Sequence, residues 1–338
     1  MRIFDGHNDA LSRIARSGPG ALGGFLAGDG AGHLDLPRAA AGGLAGGCFA
    51  VFTCSPPDDA YDDGAYFAEV AHGAAWREAM IQVGILARME REAGGRVRIA
   101  RTPEDLDAPG LVAVLHLEGA EPIGPGLEEL ELLHAAGMRS LGLTWSRPNA
   151  FATGVPFAFP GSPDQGPGLT GAGRDLVRGC HELGILVDVA HLNARGFWDV
   201  HALQDGGPPL VASHAGAHAL SPSPRNLTDD QLRAVGESGG LVGINFHTGF
   251  LRADGADDPD TPRQLIVAHA VHVAEVAGID AVALGSDFDG ATMPAELGDA
   301  RGLPGLLDAL SAAGFGEAEL AKLAHGNWRR VLEATWTA

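Results

Sequence analysis

His7 and Asp9 stand two residues apart at the end of a short apolar run, Ile3-Phe4-Asp5-Gly6-His7-Asn8-Asp9. In an extended strand, residues two apart leave on the same side, so an imidazole nitrogen and a carboxylate oxygen emerge together. That pair suits a divalent metal with mixed nitrogen and oxygen ligands. The same residue types close other apolar runs: Glu118 ends 111–118, His191 ends 185–191, His214 ends 210–214 and Asp287 ends 281–287. Trp145 follows the run 140–144, and His247 follows the run 241–246. Three histidines and three carboxylates exceed what one catalytic zinc takes, typically three protein ligands and a water. They fit two metals about 3.5–4 Å apart, bridged by a carboxylate and a hydroxide. A carboxylated lysine is the other common bridge, but the one lysine of the chain, Lys322, falls in a late helical segment far from any strand end. Glu118 remains as the candidate bridge.

These residues need a scaffold that gathers strand ends. The predicted strands are 3–7, 48–53, 111–118, 140–144, 185–191, 210–214, 241–246 and 281–287, and helical spacing fills 65–92, 127–136, 174–183, 194–203, 228–237 and 262–277. Thr228-Asp229-Asp230 reads as an N-terminal cap, and Gly137, Gly184 and Gly278 lie just past C-terminal ends. Continuous apolar strands joined by helices indicate a parallel sheet covered on both faces. About eight such units predict an α/β fold, a single-domain (β/α)8 TIM-type barrel over 1–338 with a closing helix about 317–334. The C-terminal strand ends of such a barrel converge on one face, where its active site lies. The first turn, Gly6-His7-Asn8-Asp9, lacks the Gly-x-Gly-x-x-Gly of a dinucleotide fold. A long Pro/Gly-rich loop is expected over 155–173.

The chain has 338 residues, 45% hydrophobic and 20% charged, enough to bury a sizeable core. A formal net charge of -20 argues against nucleic acid or an anionic membrane as partner, since both need a basic face. Cys48, Cys54 and Cys180 are too few and too irregular for a disulfide framework or a cysteine zinc site. The first strand begins at residue 2, and no run approaches the roughly 18 apolar residues that span a bilayer. The expectation is a soluble cytoplasmic protein.

Six strings, Asp5-Gly6-His7-Asn8-Asp9, Leu117-Glu118-Gly119, Asp188-Val189-Ala190-His191, Ser213-His214, Arg225-Asn226 and Gly285-Ser286-Asp287-Phe288-Asp289-Gly290, occur in this order along nearly the whole chain. In them the sequence resembles the membrane (renal) dipeptidase family, binuclear zinc peptidases among the metal-dependent amidohydrolase barrels. The resemblance implies hydrolysis of dipeptides, including those with a D-residue at the C-terminal position. It implies that His7 and Asp9 bind one zinc, that His191 and His214 bind the other, and that Glu118 bridges them; cobalt or manganese could take the same ligands. It further implies Asp287 as the proton-handling carboxylate, Arg225 as the clamp on the substrate carboxylate, and a homodimer. Bound metal lowers the pKa of water from about 15.7 to about 7, which supplies the bridging hydroxide.

The likeness breaks at the fourth strand. Dipeptidases of the family carry Thr-His there, whereas this chain reads Thr144-Trp145-Ser146-Arg147. An indole donates one hydrogen bond and carries no charge. Either Trp145 walls the pocket, or a substitute donor, Arg147, Asn149 or His247, serves the oxyanion beside zinc. Trp145 also keeps open a binuclear amidohydrolase acting on a non-peptide amide or lactone. The rival from a different class is a catalytically inactive barrel that binds small molecules, against which the intact metal ligands argue. His116, two before Glu118, is either a supporting partner or a packed core histidine, and His218, four after His214, has ligand spacing if its segment is helical.

Overall fold

Alternation along one strand, Leu111–Glu118, builds the barrel wall. Leu111, Ala113, Leu115 and Leu117 join the large apolar core, whereas Val112 and Val114 join a smaller cluster with Phe4, Leu186, Val211, Leu241, Ala283 and Trp328. The two sets face opposite sides of the strand. One packs under helices, and the other fills the barrel interior. His116 and Glu118 continue the inner set, so the interior climbs from apolar to titratable residues along a single strand.

The computed structural model describes residues 1–54, 67–204 and 206–336. Its strands are β1 Ile3–Asn8, β2 Leu44–Phe52, β3 Val97–Ile99, β4 Leu111–Glu118, β5 Met138–Gly142, β6 Leu186–Asp188, β7 Val211–Ala215, β8 Leu241–Ile244 and β9 Val282–Leu284. All pair in parallel in the order β2-β1-β9-β8-β7-β6-β5-β4-β3, and an added β2–β4 pairing closes eight of them into a ring. The barrel is therefore the predicted one. β3 is an addition that the sequence reading missed; its three residues pair Leu111 to Ala113, below the point where β5 takes over at Leu115.

Helices Glu128–Ala135, Gly171–Glu182, Ala194–Gln204, Asp229–Glu237 and Gln264–Ala277 fall where helical spacing placed them. The predicted helix 65–92 runs over His72–Glu92, and its first two residues lie outside the described ones. Thr228 caps its helix as expected, accepting from Gln231 N–H. Gly137, Gly184 and Gly278 take positive φ of 109°, 64° and 89° past helix ends, the conformation that favours glycine.

The closing segment is Glu317–Ala321, a π turn over Lys322–Gly326, and Asn327–Trp336. It plugs the barrel from the end opposite the site. Trp328 is fully buried, tilts against Phe4 at 5.6 Å and donates its indole N–H to Leu284 O at 2.9 Å. A Cβ on Gly6 would meet that indole at 2.5 Å and Ser213 O at 2.3 Å, so only glycine lets β1 pass over the plug.

Candidate metal centre

The five expected metal donors meet at the C-terminal end of the strands. His7 Nε2 lies 3.4 Å from Asp9 Oδ2 and 3.6 Å from Glu118 Oε2. On the other side of the same carboxylate, Glu118 Oε1 lies 3.0 Å from His191 Nε2 and 3.6 Å from His214 Nε2. Two trios of donor atoms, His7–Asp9–Glu118 and Glu118–His191–His214, are each mutually within 4.8 Å and share Glu118. A third trio, His7–His214–Asp287, sets Asp287 over the ground between them. All five donors are buried, with exposures of 6% or less.

The hydrogen bonds around the histidines leave their inner nitrogens available. Ser213 Oγ donates to Asp188 Oδ2 at 2.5 Å, so it accepts from His214 Nδ1–H at 2.8 Å, and the lone pair of His214 falls on Nε2. That Nε2 faces His191 Nε2 at 2.9 Å, and His191 Nδ1 is engaged by Ser146 Oγ at 2.7 Å. Burial pushes both histidines toward the neutral form, His191 to about 3 with Arg225 adding to the effect, and His214 well below its ordinary value. His7 Nε2 is buried without a hydrogen-bond partner among the described residues. Burial opposes charge on Glu118, but His7 and His191 outweigh it and hold its carboxyl well below the ordinary range. Burial opposes charge on His7 too, but Glu118 and Asp9 outweigh it and raise its pKa well above the ordinary value, so a bound cation would take the place of its proton. With the neutral imidazoles of His191 and His214 and the ionised Glu118, the residues fit a divalent cation.

Ser213 is thus a lever on metal affinity. Ser213→Ala is expected to weaken divalent-metal binding by about 10–100-fold, read by competition with a chromophoric chelator, while Ser213→Thr keeps it. Unchanged affinity in the alanine variant would remove Ser213 from the support of the site.

Asp287 follows β9 in a left-handed conformation, φ 64°, as does His191 with the same value. Such strain in non-glycine residues concentrates at functional sites. Asn245 Nδ2 donates to Asp287 Oδ2 at 3.0 Å and fixes the rotamer. Behind it, a Cβ on Gly290 would meet Asp9 Oδ2 at 2.2 Å and Asp287 Oδ1 at 2.6 Å, so this glycine lets the turn close on both carboxylates. Asp289 does other work: it pairs with Arg13 Nε at 2.8 Å and accepts from His33 N–H at 2.5 Å.

A cavity of about 800 Å³ opens over the donors, with Trp145, Phe157, His247 and Phe250 in its lining. Trp145 and His247, two of the expected substrate-binding residues, thus line the cavity. Asn149 does not: its Nδ2 donates to Leu143 O, and its Oδ1 accepts from the N–H groups of Phe151 and Ala152, so its amide holds the loop together. Arg147 is also corrected as an oxyanion donor. It is fully buried, pairs with Glu121 at 2.7 Å, donates to Thr53 O at 2.6 Å and lies 5.1 Å from the Trp145 ring, bracing the wall from behind. His116 is packed in the barrel interior, its Nδ1 engaged by Ser140 Oγ at 2.9 Å, its ring edge-on to His7 at 5.5 Å, and its Nε2, 3.6 Å from Asp188, without a hydrogen bond among the described residues. His218 binds Gly161 O at 2.9 Å and joins no donor trio among the described residues.

Arg225 is 2% exposed and sits under the cavity wall, with Nη2 donating to His214 O at 3.1 Å and Cζ 5.4 Å from the Phe250 ring. Burial lowers its pKa to about 10 against the pull of Asp287 and Glu118. Its Nε has no hydrogen-bond partner, and among the described residues no carboxylate reaches ion-pair distance. A buried guanidinium without an anion is costly, so an incoming carboxylate would satisfy it.

Residues that the sequence reading did not assign complete the site. Asp188 was legible as an inward position two after Leu186, and Ser213 as the neighbour of His214. Asn245 and Ser146 gave no signal of their own.

A closed parallel barrel with histidine and carboxylate donors gathered at its C-terminal rim has the architecture of a metal-dependent enzyme. The family model for membrane dipeptidase (peptidase family M19) matches residues 1–338. Among solved structures, the chain is similar to a metallo peptidase from Rhodobacter sphaeroides liganded with a phosphinate mimic of the dipeptide L-Ala-D-Ala, at 45% identity over 99% of each chain and TM-score 0.95. It is equally similar to the dipeptidase AC metallo peptidase of the same family, at 46% identity over 100% of this chain and 99% of that one, TM-score 0.94. An uncharacterized protein in the pqqA 5' region of Klebsiella pneumoniae is 47% identical over 75% of this chain and 95% of its own length. The chain belongs to the membrane dipeptidase family, and its activity is metal-dependent hydrolysis of dipeptides. No helix among the described residues is long and apolar enough to cross a membrane.

Proposed function

We propose that this protein binds two zinc ions, one by His7, Asp9 and Glu118 and one by Glu118, His191 and His214, and cleaves dipeptides that include L-Xaa-D-Xaa. The observation that carries the reading is the pair of donor trios sharing Glu118. The L-Ala-D-Ala mimic held by the Rhodobacter relative supports the stereochemical part. Metal at this site would supply an activated water and polarise the scissile carbonyl. Asp287, held by Asn245, takes the proton of the attacking water and delivers it to the leaving amine nitrogen, general acid–base work by a positioned carboxylate. Arg225 receives the free C-terminal carboxylate and so restricts the enzyme to short substrates. A homodimer goes with this reading by resemblance to the family, and a cytoplasmic setting is proposed with it.

The test combines metal analysis with a screen of L,L and L,D dipeptides. About two equivalents of zinc per chain and turnover of L,D dipeptides are expected. Arg225→Ala should raise KM about 100-fold, with kcat less affected. Amides lacking a free carboxylate should be equally poor for both proteins. Equal KM values for wild type and variant would exclude the clamp.

A further inference from the structure

We propose that the site selects dipeptides whose C-terminal residue carries a large apolar side chain, packed on Phe157 and Phe250. The inference rests on the dipeptidase reading above and deepens it. Two points fix the C-terminal residue of a bound dipeptide: the scissile bond beside Glu118 and His191, and the terminal carboxylate at Arg225. A single residue joins them, so its Cα lies between the two and its side chain meets whatever lines that interval.

That lining is aromatic. The Phe157 ring is 6.5 Å from His191 and 5.5 Å from Phe250, and Phe250 in turn lies against Arg225. Trp145 extends the wall, meeting Phe157 edge-on at 5.3 Å and His191 at 5.9 Å. Mutual edge and tilted contacts fix these rings, so the surface is preformed and apolar. The cavity lining also carries Asp9, Asp287, Asp289 and Asp257, with Arg16 and His33. Asp289 is neutralised by Arg13, and Asp257 accepts from the Thr248 and Thr292 hydroxyls at 2.7 and 3.0 Å. An acidic side chain on the substrate would be desolvated against the Phe157 and Phe250 rings. An alanine methyl would leave most of the wall uncovered. The 800 Å³ cavity has room for a phenyl ring.

The test is kcat/KM for L-Ala-D-Phe, L-Ala-D-Leu, L-Ala-D-Ala and L-Ala-D-Asp with zinc-loaded protein. Phe and Leu should exceed Ala by about tenfold and Asp by about 100-fold, chiefly through KM. Phe157→Ala should bring the Phe/Ala ratio close to one, and Phe157→Leu, which keeps an apolar branched side chain on the wall, should keep the preference for Leu over Asp. Similar values for all four substrates in the wild type, or a Phe/Ala ratio untouched by Phe157→Ala, would overturn the inference and leave the dipeptidase reading standing. No cleavage of any of the four by fully loaded protein would overturn both.

Discussion

Glu118→Gln is expected to lower kcat/KM for L-Ala-D-Ala by about three orders of magnitude and to reduce bound zinc from two equivalents to one or fewer. The size follows from the geometry. One oxygen of Glu118 faces His7 and the other faces His191 and His214, so a single carboxylate belongs to both donor trios. Glutamine keeps the shape but turns one of those oxygens into an amide nitrogen with two hydrogens, which repels a cation and carries no charge. Loss of the anion also leaves the buried donors of His7, 0% exposed, without their counter-charge. Metal content and kinetics on the same preparation check the result. Retention of two zinc ions with wild-type turnover would show that Glu118 bridges nothing.

Asp287→Asn separates proton handling from metal binding. A drop of about 10²–10⁴ in kcat is expected, with both zinc ions retained and KM nearly constant. Asparagine preserves the 3.0 Å contact with Asn245 after an amide flip, and its size suits the left-handed φ of 64° better than most residues. What it lacks is a site for the proton. Turnover at the wild-type level would remove Asp287 from the reaction. Loss of one zinc ion along with activity would instead make Asp287 a ligand, as the trio His7–His214–Asp287 allows.

Much of this site was legible because barrel strands carry their function in their last inward residue. β4 was read to the residue, since Val112, Val114, His116 and Glu118 alternate with an unbroken outward Leu/Ala set. Other strands stop short of the predicted ends. β6 finishes at Asp188, three residues before His191, because the Asp188 side chain takes the N–H groups of Ala190 and Ser213 and turns the chain. That contact joins two strands, and no local pattern announces it. The same holds for β3, too short to show a period, and for Asn149, whose amide the loop itself consumes. Phe157 and Phe250 come from a loop and from the four-residue helix Thr248–Leu251. They become a wall only when the barrel closes.

Trp328 bears on when the enzyme becomes competent. β1 supplies His7 near the start of the chain, β9 leads into Asp287 some 280 residues later, and the indole beneath Gly6 comes from beyond both. The two ends of the ring must meet across nearly the full sequence, the kind of non-local closure that slows folding. A nascent chain still short of the helix Asn327–Trp336 has its first and last strands without the plug that holds them in register. Metal capture is therefore expected to wait for the docking of this helix, and a chain truncated before Asn327 should bind less metal than the full chain, which metal analysis of the two would check.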